Sequence, residues 1–129
     1  MKVVYLDSSA IVKLVVDEAE SAALRDFLAA RATRLSCGLA RVEVPRAVAT
    51  LGSEACERAR EIVAALDLIA LDDRLLDAAG ALRGELRSLD AIHVAAAREV
   101  GELLECLVTY DKRMAAAARA LGLAVTVPV

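Results

Sequence analysis

Met1–Leu6 is a short, mostly apolar run closed by the acid Asp7, the pattern of a buried strand. Ser8–Val16 and Glu18–Ala32 read as two helices broken near Asp17. In the second, Leu24, Phe27 and Leu28 form an apolar stripe at helical spacing. Arg34–Cys37 reads as a strand. Gly38–Leu51 is helical in composition but contains Pro45. An interior proline costs a helix about 3 kcal/mol, so this helix is expected to start late or bend just after Glu43. Ser53–Leu66 opens on a serine, expected as its N-cap, and lines up Ala55, Ala59, Ile62 and Leu66. Asp67–Leu71 is a short strand. Asp73–Leu86 is a helix carrying Leu75, Ala79, Leu82 and Leu86 on one face, and Leu89–Val100 is an Ala-rich helix. Glu105–Tyr110 is a strand, Asp111–Leu121 a helix stopped by Gly122, and Leu123–Val127 a last strand closed by Pro128.

Strands alternate with helices or helix pairs, an order that predicts a parallel sheet covered by helices on both faces. The chain has 129 residues, with no repeat, charge block or linker, which predicts one domain over 1–129. A composition of 58% hydrophobic and 27% charged residues excludes a disordered tail. Aromatic residues are only 2%, so the core must be built from Ala, Leu, Val and Ile. That also excludes a base-stacking platform of the RNA-recognition or OB type. The net charge of −3 argues against coating nucleic acid by a bulk positive field but leaves room for a local basic rim. Cys37, Cys56 and Cys106 are odd in number, far apart and without a Cys-x-x-Cys. They read as small buried hydrophobes, not as a disulfide framework or zinc cage. No apolar run approaches the ~18 residues needed to span a bilayer, and no leader pattern precedes Asp7. The expectation is a soluble, cytoplasmic protein with no membrane partner.

In open parallel sheets, function gathers at the carboxyl ends of the strands. Asp7 follows the first strand there and Asp111 the Glu105–Tyr110 strand. Glu43, in L-A-R-V-E-V-P-R-A, and Asp90, in L-R-S-L-D-A-I-H-V-A-A-A, are acids embedded in near-continuous apolar sequence. Taken singly, Asp7, Asp90 and Asp111 are accounted for as helix N-caps. Glu43, within a helix, has no such use. If the four converge, each carboxylate pair ~5 Å apart repels by roughly 3 kcal/mol at an effective dielectric near 20. Some must then protonate, or a divalent cation must bind. Oxygen-only ligands favour Mg²⁺ or Mn²⁺ over zinc, and such sites commonly serve phosphoryl chemistry. The four acids account for more than the whole net charge, consistent with a basic rim elsewhere.

The string V-Y-L-D-S-S-A-I-V-K-L resembles the opening of a PIN-domain nuclease. L-A-R-V-E-V-P-R-A, L-R-S-L-D-A-I-H-V-A-A-A and L-V-T-Y-D-K-R-M-A-A-A-A follow in that family's order and approximate spacing. Each motif alone is weak; the four in order, over Val3 to Val127, are specific. The chain is most similar to the VapC toxins of bacterial VapBC toxin–antitoxin pairs. The resemblance implies a PIN-like three-layer α/β/α sandwich with a central, mainly parallel sheet. It implies an Mg²⁺- or Mn²⁺-dependent endoribonuclease leaving a 5′-phosphate and a 3′-hydroxyl, a cognate VapB-type antitoxin, and a homodimer. Carried over by motif, the catalytic acids are Asp7, Glu43, Asp90 and Asp111. Asp7, Asp90 and Asp111 place the cation, and Glu43 completes the pocket or orients water. Ser9 and Thr109 resemble the family's supporting hydroxyl residues. Some relatives carry a further acid near the last Asp, where this chain has Thr109, Tyr110 and Lys112, which leaves the number of metal ions open.

His93, at i+3 from Asp90, is read as a packed histidine tied to a backbone or carboxylate partner. Lys13, Arg46, Arg87, Lys112 and Arg113 are candidate RNA contacts, with solvated or ion-paired side chains as the plainer account; Arg41 is weighed alongside them. Tyr110 is a candidate stacking residue or a buried one. A phosphoacceptor receiver domain is disfavoured because Ser8 and Ser9 follow Asp7 and no lysine follows the last strand. A haloacid-dehalogenase phosphatase needs D-x-D, and position 9 is Ser. A PIN nuclease outside a toxin system and a catalytically silent PIN binding module stay open. The apolar stripes of the second helix and of Ser53–Leu66 are candidates for an antitoxin groove or a dimer surface.

Overall fold

A computed structural model describes residues 2–129. Five strands form one sheet: β1 (Val3–Leu6), β2 (Arg34–Cys37), β3 (Asp67–Ile69), β4 (Leu104–Val108) and β5 (Val125–Thr126). Seven helices accompany them: α1 (Ser8–Val15), α2 (Ser21–Ala29), α3 (Ala40–Val48), α4 (Ser53–Ala64), α5 (Asp73–Gly80), α6 (Ser88–Val100) and α7 (Lys112–Ala120). The strand order is β3-β2-β1-β4-β5, and every pairing is parallel. The chain thus builds outward from β1 through β2 and β3, then crosses back to place β4 on the other side of β1.

The alternation of side chains along a strand sorts the core into two layers. Val4 and Leu6 of β1, with Cys106 and Val108 of β4, pack beneath α1 to α4 against Ile11, Leu24, Leu28, Val44 and Val48. Tyr5 and Leu107 point the other way, toward α5, α6 and α7, and meet Leu75, Val94, Met114 and Ala118. Both faces are therefore buried, which explains why β1 reads as a continuous apolar run. The architecture is the expected three-layer α/β/α sandwich. Ala91, Ala95, Ala96 and Ala97 are all buried on α6, and their small side chains let this helix lie close over β2 and β4.

Three local expectations change. α3 begins at Ala40 and runs through Pro45 instead of starting after Glu43. Ala40, Val44 and Val48 are fully buried at four-residue spacing, and that packing holds the helix. The residue whose carbonyl the proline leaves unbonded, Arg41, is exposed, so solvent can replace the bond. Gly52, at φ 101°, takes the cap position of α4, and Ser53 is already helical without a capping bond. α5 ends at Gly80, well short of Leu86. Leu82 and Leu86 still pack into the second layer, but from the loop after the helix, so their spacing marks burial and not helix.

Candidate active site

Asp7 and Asp111 stand at the carboxyl ends of β1 and β4, the neighbouring strands at which the sheet reverses direction of growth. This is the topological switch point, where open parallel sheets leave a crevice. The Asp7 N–H donates to the Val108 carbonyl (3.2 Å), which places Asp7 beside Thr109.

Asp7 is 2% exposed, and both its oxygens are engaged. Oδ1 accepts from Ser9 Oγ (2.7 Å) and the Ala10 N–H (2.9 Å); Oδ2 accepts from Thr109 Oγ1 (2.5 Å). The capping role anticipated for Asp7 is therefore real and coexists with its place in the site. Burial raises the Asp7 pKa above the usual carboxylate value, against the opposing pull of these hydrogen bonds. Among the described residues Asp7 makes no ion pair.

Thr109 ties the second acid to the first. Its Oγ1 accepts from the Asp111 N–H (3.1 Å) while donating to Asp7. Asp111 caps α7, Oδ1 accepting from the Met114 N–H (2.9 Å), and turns Oδ2 outward. Ser9 Oγ also accepts from the Tyr110 N–H (2.9 Å), so the β1–α1 and β4–α7 turns are joined by a small hydroxyl network.

Asp90 lies in the first turn of α6 and is not a cap; Arg87 takes that position without a side-chain capping bond. Arg87 Nε donates to Asp90 Oδ2 (3.2 Å), and its Nη2 donates to Asp111 Oδ2 (3.4 Å). One guanidinium therefore bridges the outward oxygens of two acids.

Glu43 joins from the other layer. Its Oε1 accepts from Ser8 Oγ (2.7 Å) and from His93 Nε2 (2.7 Å). His93 is 2% exposed, and its Nδ1 meets the Tyr5 hydroxyl at 2.8 Å. This is the packed, carboxylate-tied histidine expected from the sequence. The His93 hydrogen bond, opposed by burial and aided by Ser8, lowers the Glu43 pKa. Burial opposes protonation of His93, but the neighbouring Cys37 and Glu43 outweigh it and the pKa is pushed up to about 10. Ser8 and Tyr5 were not singled out from sequence. Only the tertiary approach of α3 and α6 to the end of β1 reveals them.

Hydrogen bonds thus link Asp7 to Asp111 and Asp111 through Arg87 to Asp90. Glu43 is held by Ser8, which adjoins Asp7, and by His93, which stands one helical turn beyond Asp90. Among the described residues no three of the acid, histidine or cysteine side chains converge closely enough to hold a metal ion in this arrangement. The donor set still fits a hard divalent cation: carboxylates from three elements with hydroxyls beside them, and a buried carboxylate without an ion-pair partner. The histidine is not part of that donor set, because both its nitrogens are committed.

The basic candidates divide. Lys13 pairs with Glu18 (3.3 Å) and Glu20 (2.9 Å) and sits 4.9 Å from the centre of the Tyr110 ring. The Tyr110 hydroxyl donates to the Pro128 carbonyl (2.7 Å), so that ring is anchored to the C-terminal segment. Arg46, Lys112 and Arg113 are exposed. Away from the acids, a groove of about 470 Å³ lies between α2 and α4, lined by Leu14, Arg25, Arg34, Ile62 and Leu66 among others. No helix among the described residues is long and apolar enough to cross a membrane.

The PIN domain family model matches residues 4–120. Ribonuclease VapC46 of Mycobacterium tuberculosis is 53% identical over 129 residues, covering 99% of each chain. Ribonucleases VapC35 and VapC47 of the same species are 41% and 37% identical, each over 97% of this chain and 96% of the relative. The chain belongs to the PIN domain family and, within it, to the VapC group. A toxin–antitoxin complex from Klebsiella pneumoniae shares the fold, with a TM-score of 0.69 at 20% identity over 87% of this chain and 90% of that one.

Proposed function

We propose that this chain, folded as one PIN domain, is the ribonuclease toxin of a VapBC pair and cleaves RNA with Mg²⁺ or Mn²⁺. The observation that carries the reading is the linkage of Asp7, Asp111 and Asp90 at the switch point of the sheet, in a chain whose relatives are named ribonucleases. Asp7, Asp90 and Asp111 are the residues that would hold the cation. When bound, a divalent cation lowers the pKa of water and polarises a phosphodiester. The rest is done by the protein. Thr109 and Ser9 fix the orientation of the Asp7 carboxylate. Glu43, kept ionised by His93 and Ser8, completes the pocket and accepts a hydrogen bond from the attacking water. Arg46, Lys112 and Arg113 supply a rim of positive charge for the RNA backbone.

The groove between α2 and α4 is the proposed seat of an antitoxin helix. Its lining combines apolar side chains with Arg25 and Arg34, which suits an amphipathic segment bearing acidic residues. A homodimer of the toxin completes the reading.

The test is cleavage of a mixed pool of folded bacterial RNA with Mn²⁺ or Mg²⁺. Wild type is compared with Asp7→Asn and Asp90→Asn, with chelator as control and the ends mapped. Discrete cuts bearing 5′-phosphates, lost in both variants and with chelator, are expected. Cuts that survive in Asp90→Asn, or in chelator, would overturn the assignment.

A further inference from the structure

The acids of this site are already neutralised in part, by the protein's own side chain. Arg87 lies at the end of the 81–87 segment, and its side chain is 69% exposed while those of Asp90 and Asp111 are 14% and 25% exposed. The guanidinium reaches inward, with Nε on one carboxylate and Nη2 on the other. Both contacts fall on Oδ2, the atom of Asp111 that capping leaves available. A cation held by Asp90 and Asp111 would draw on the same two carboxylates. Two positive groups on the same pair of carboxylates repel each other at close range, so each weakens the other's hold.

We propose that Arg87 is a built-in counter-cation that competes with the divalent metal for Asp90 and Asp111. In the metal-free protein the guanidinium screens the two carboxylates from each other. Metal binding requires it to swing back toward solvent, which its exposed position on a loop end permits. In this arrangement Arg87 holds Oδ2 of both acids, and Asp7 is satisfied by Ser9, Ala10 and Thr109. This inference rests on the metal-dependent reading of the site and adds to it an affinity deliberately held down from within.

The measurement is Mn²⁺ binding by calorimetry, with melting temperature recorded with and without Mn²⁺, for wild type, Arg87→Gln, Arg83→Gln and Asp90→Asn. Arg83 is an exposed arginine of the same loop that contacts neither acid, so it controls for the general field. Exposed ion pairs of this kind are individually weak, so the expected gain is roughly three- to tenfold tighter Mn²⁺ binding in Arg87→Gln. Arg83→Gln should stay within about twofold of wild type. Arg87→Gln should also melt lower than wild type without metal and gain more on adding it. Equal or weaker binding by Arg87→Gln, with wild-type binding still lost in Asp90→Asn, overturns the competition and leaves the metal site standing. Equal tightening in Arg83→Gln overturns it as well, by reducing it to bulk charge. Absence of Mn²⁺ binding in wild type and Arg87→Gln alike overturns both the competition and the metal-dependent reading beneath it.

Discussion

Thr109 donates a hydrogen bond to Asp7 across the ends of two neighbouring strands, over a separation of 2.5 Å, although the residues are 102 positions apart in sequence. The same oxygen receives the Asp111 N–H. A single hydroxyl therefore sets the orientation of the most buried acid and the path of the chain into the next.

Replacing Thr109 by Val keeps the shape and removes both functions. Loss of a partner to a ligand-bearing carboxylate typically costs ten- to a hundredfold in activity, and a fall of that size is expected for RNA cleavage. Leaving the Asp7 carboxylate short of a donor should also cost about 1–3 kcal/mol of stability, read from denaturant melts. Thr109→Ser should retain most of both, and equal damage from Ser and Val would show that the methyl group matters more than the hydroxyl.

Asp7→Asn should separate stability from activity. Burial raises the folded pKa of Asp7, so the fold favours its protonated form. The stability this group contributes is present below its ordinary value of 3.8 and is lost as pH rises through the raised folded value. At pH above that ordinary value, burying this carboxyl therefore works against folding. The neutral isostere keeps an acceptor for Ser9 and Ala10 and offers its amide to Thr109. It should be inactive yet melt a few degrees higher than wild type without metal, by differential scanning calorimetry.

His93 contributes with the same sign of pH dependence, through a positive charge. Its folded pKa, about 10, lies above the ordinary 6.5. The stability it lends is complete below 6.5 and fades as pH rises toward 10. Wild type should lose stability steadily across that window, on the order of 1 kcal/mol per pH unit, read by chemical denaturation at a series of pH values. His93→Gln, which can still donate to Glu43, should show a visibly shallower slope; an unchanged slope would assign the loss to other groups.

Ala96 is fully buried on α6, the helix that carries both Asp90 and His93. Ala96→Leu must push that helix off the sheet. Overpacking of this kind costs about 1–3 kcal/mol, and cleavage should fall further than stability alone accounts for, since Asp90 moves with the helix. Thermal melts and cleavage assays on the same preparation give both numbers.

The order of elements was legible because each strand and helix declares itself within a few residues. Met1–Leu6 reads as a buried strand and Val3–Leu6 proves to be one, Met1 lying outside the described residues, and the Ala-rich Leu89–Val100 is helical as expected. Where the reading failed, the deciding force was tertiary. Pro45 is tolerated because Ala40, Val44 and Val48 are locked into the core. Leu82 and Leu86 are buried from a loop, so burial imitated helical periodicity. In the site, the positions of Asp7 and Asp111 followed from strand ends, which sequence shows. The bonds from Ser8 to Glu43 and from Arg87 to two acids did not. Each joins residues whose approach depends on how helices are stacked, and no local pattern encodes that.

The crossing from β3 back to the far side of β1 has a consequence for how the protein is made. β4 is a late segment of the chain, yet it lies at the centre of the sheet and delivers Thr109 and Asp111 to Asp7. A ribosome that has translated only as far as α6 has produced three of the four acids and no pocket. A truncated or stalled product therefore lacks the assembled cluster of acids. The four acids come together only near the end of the chain's own synthesis, so the site is among the last features of the fold to form.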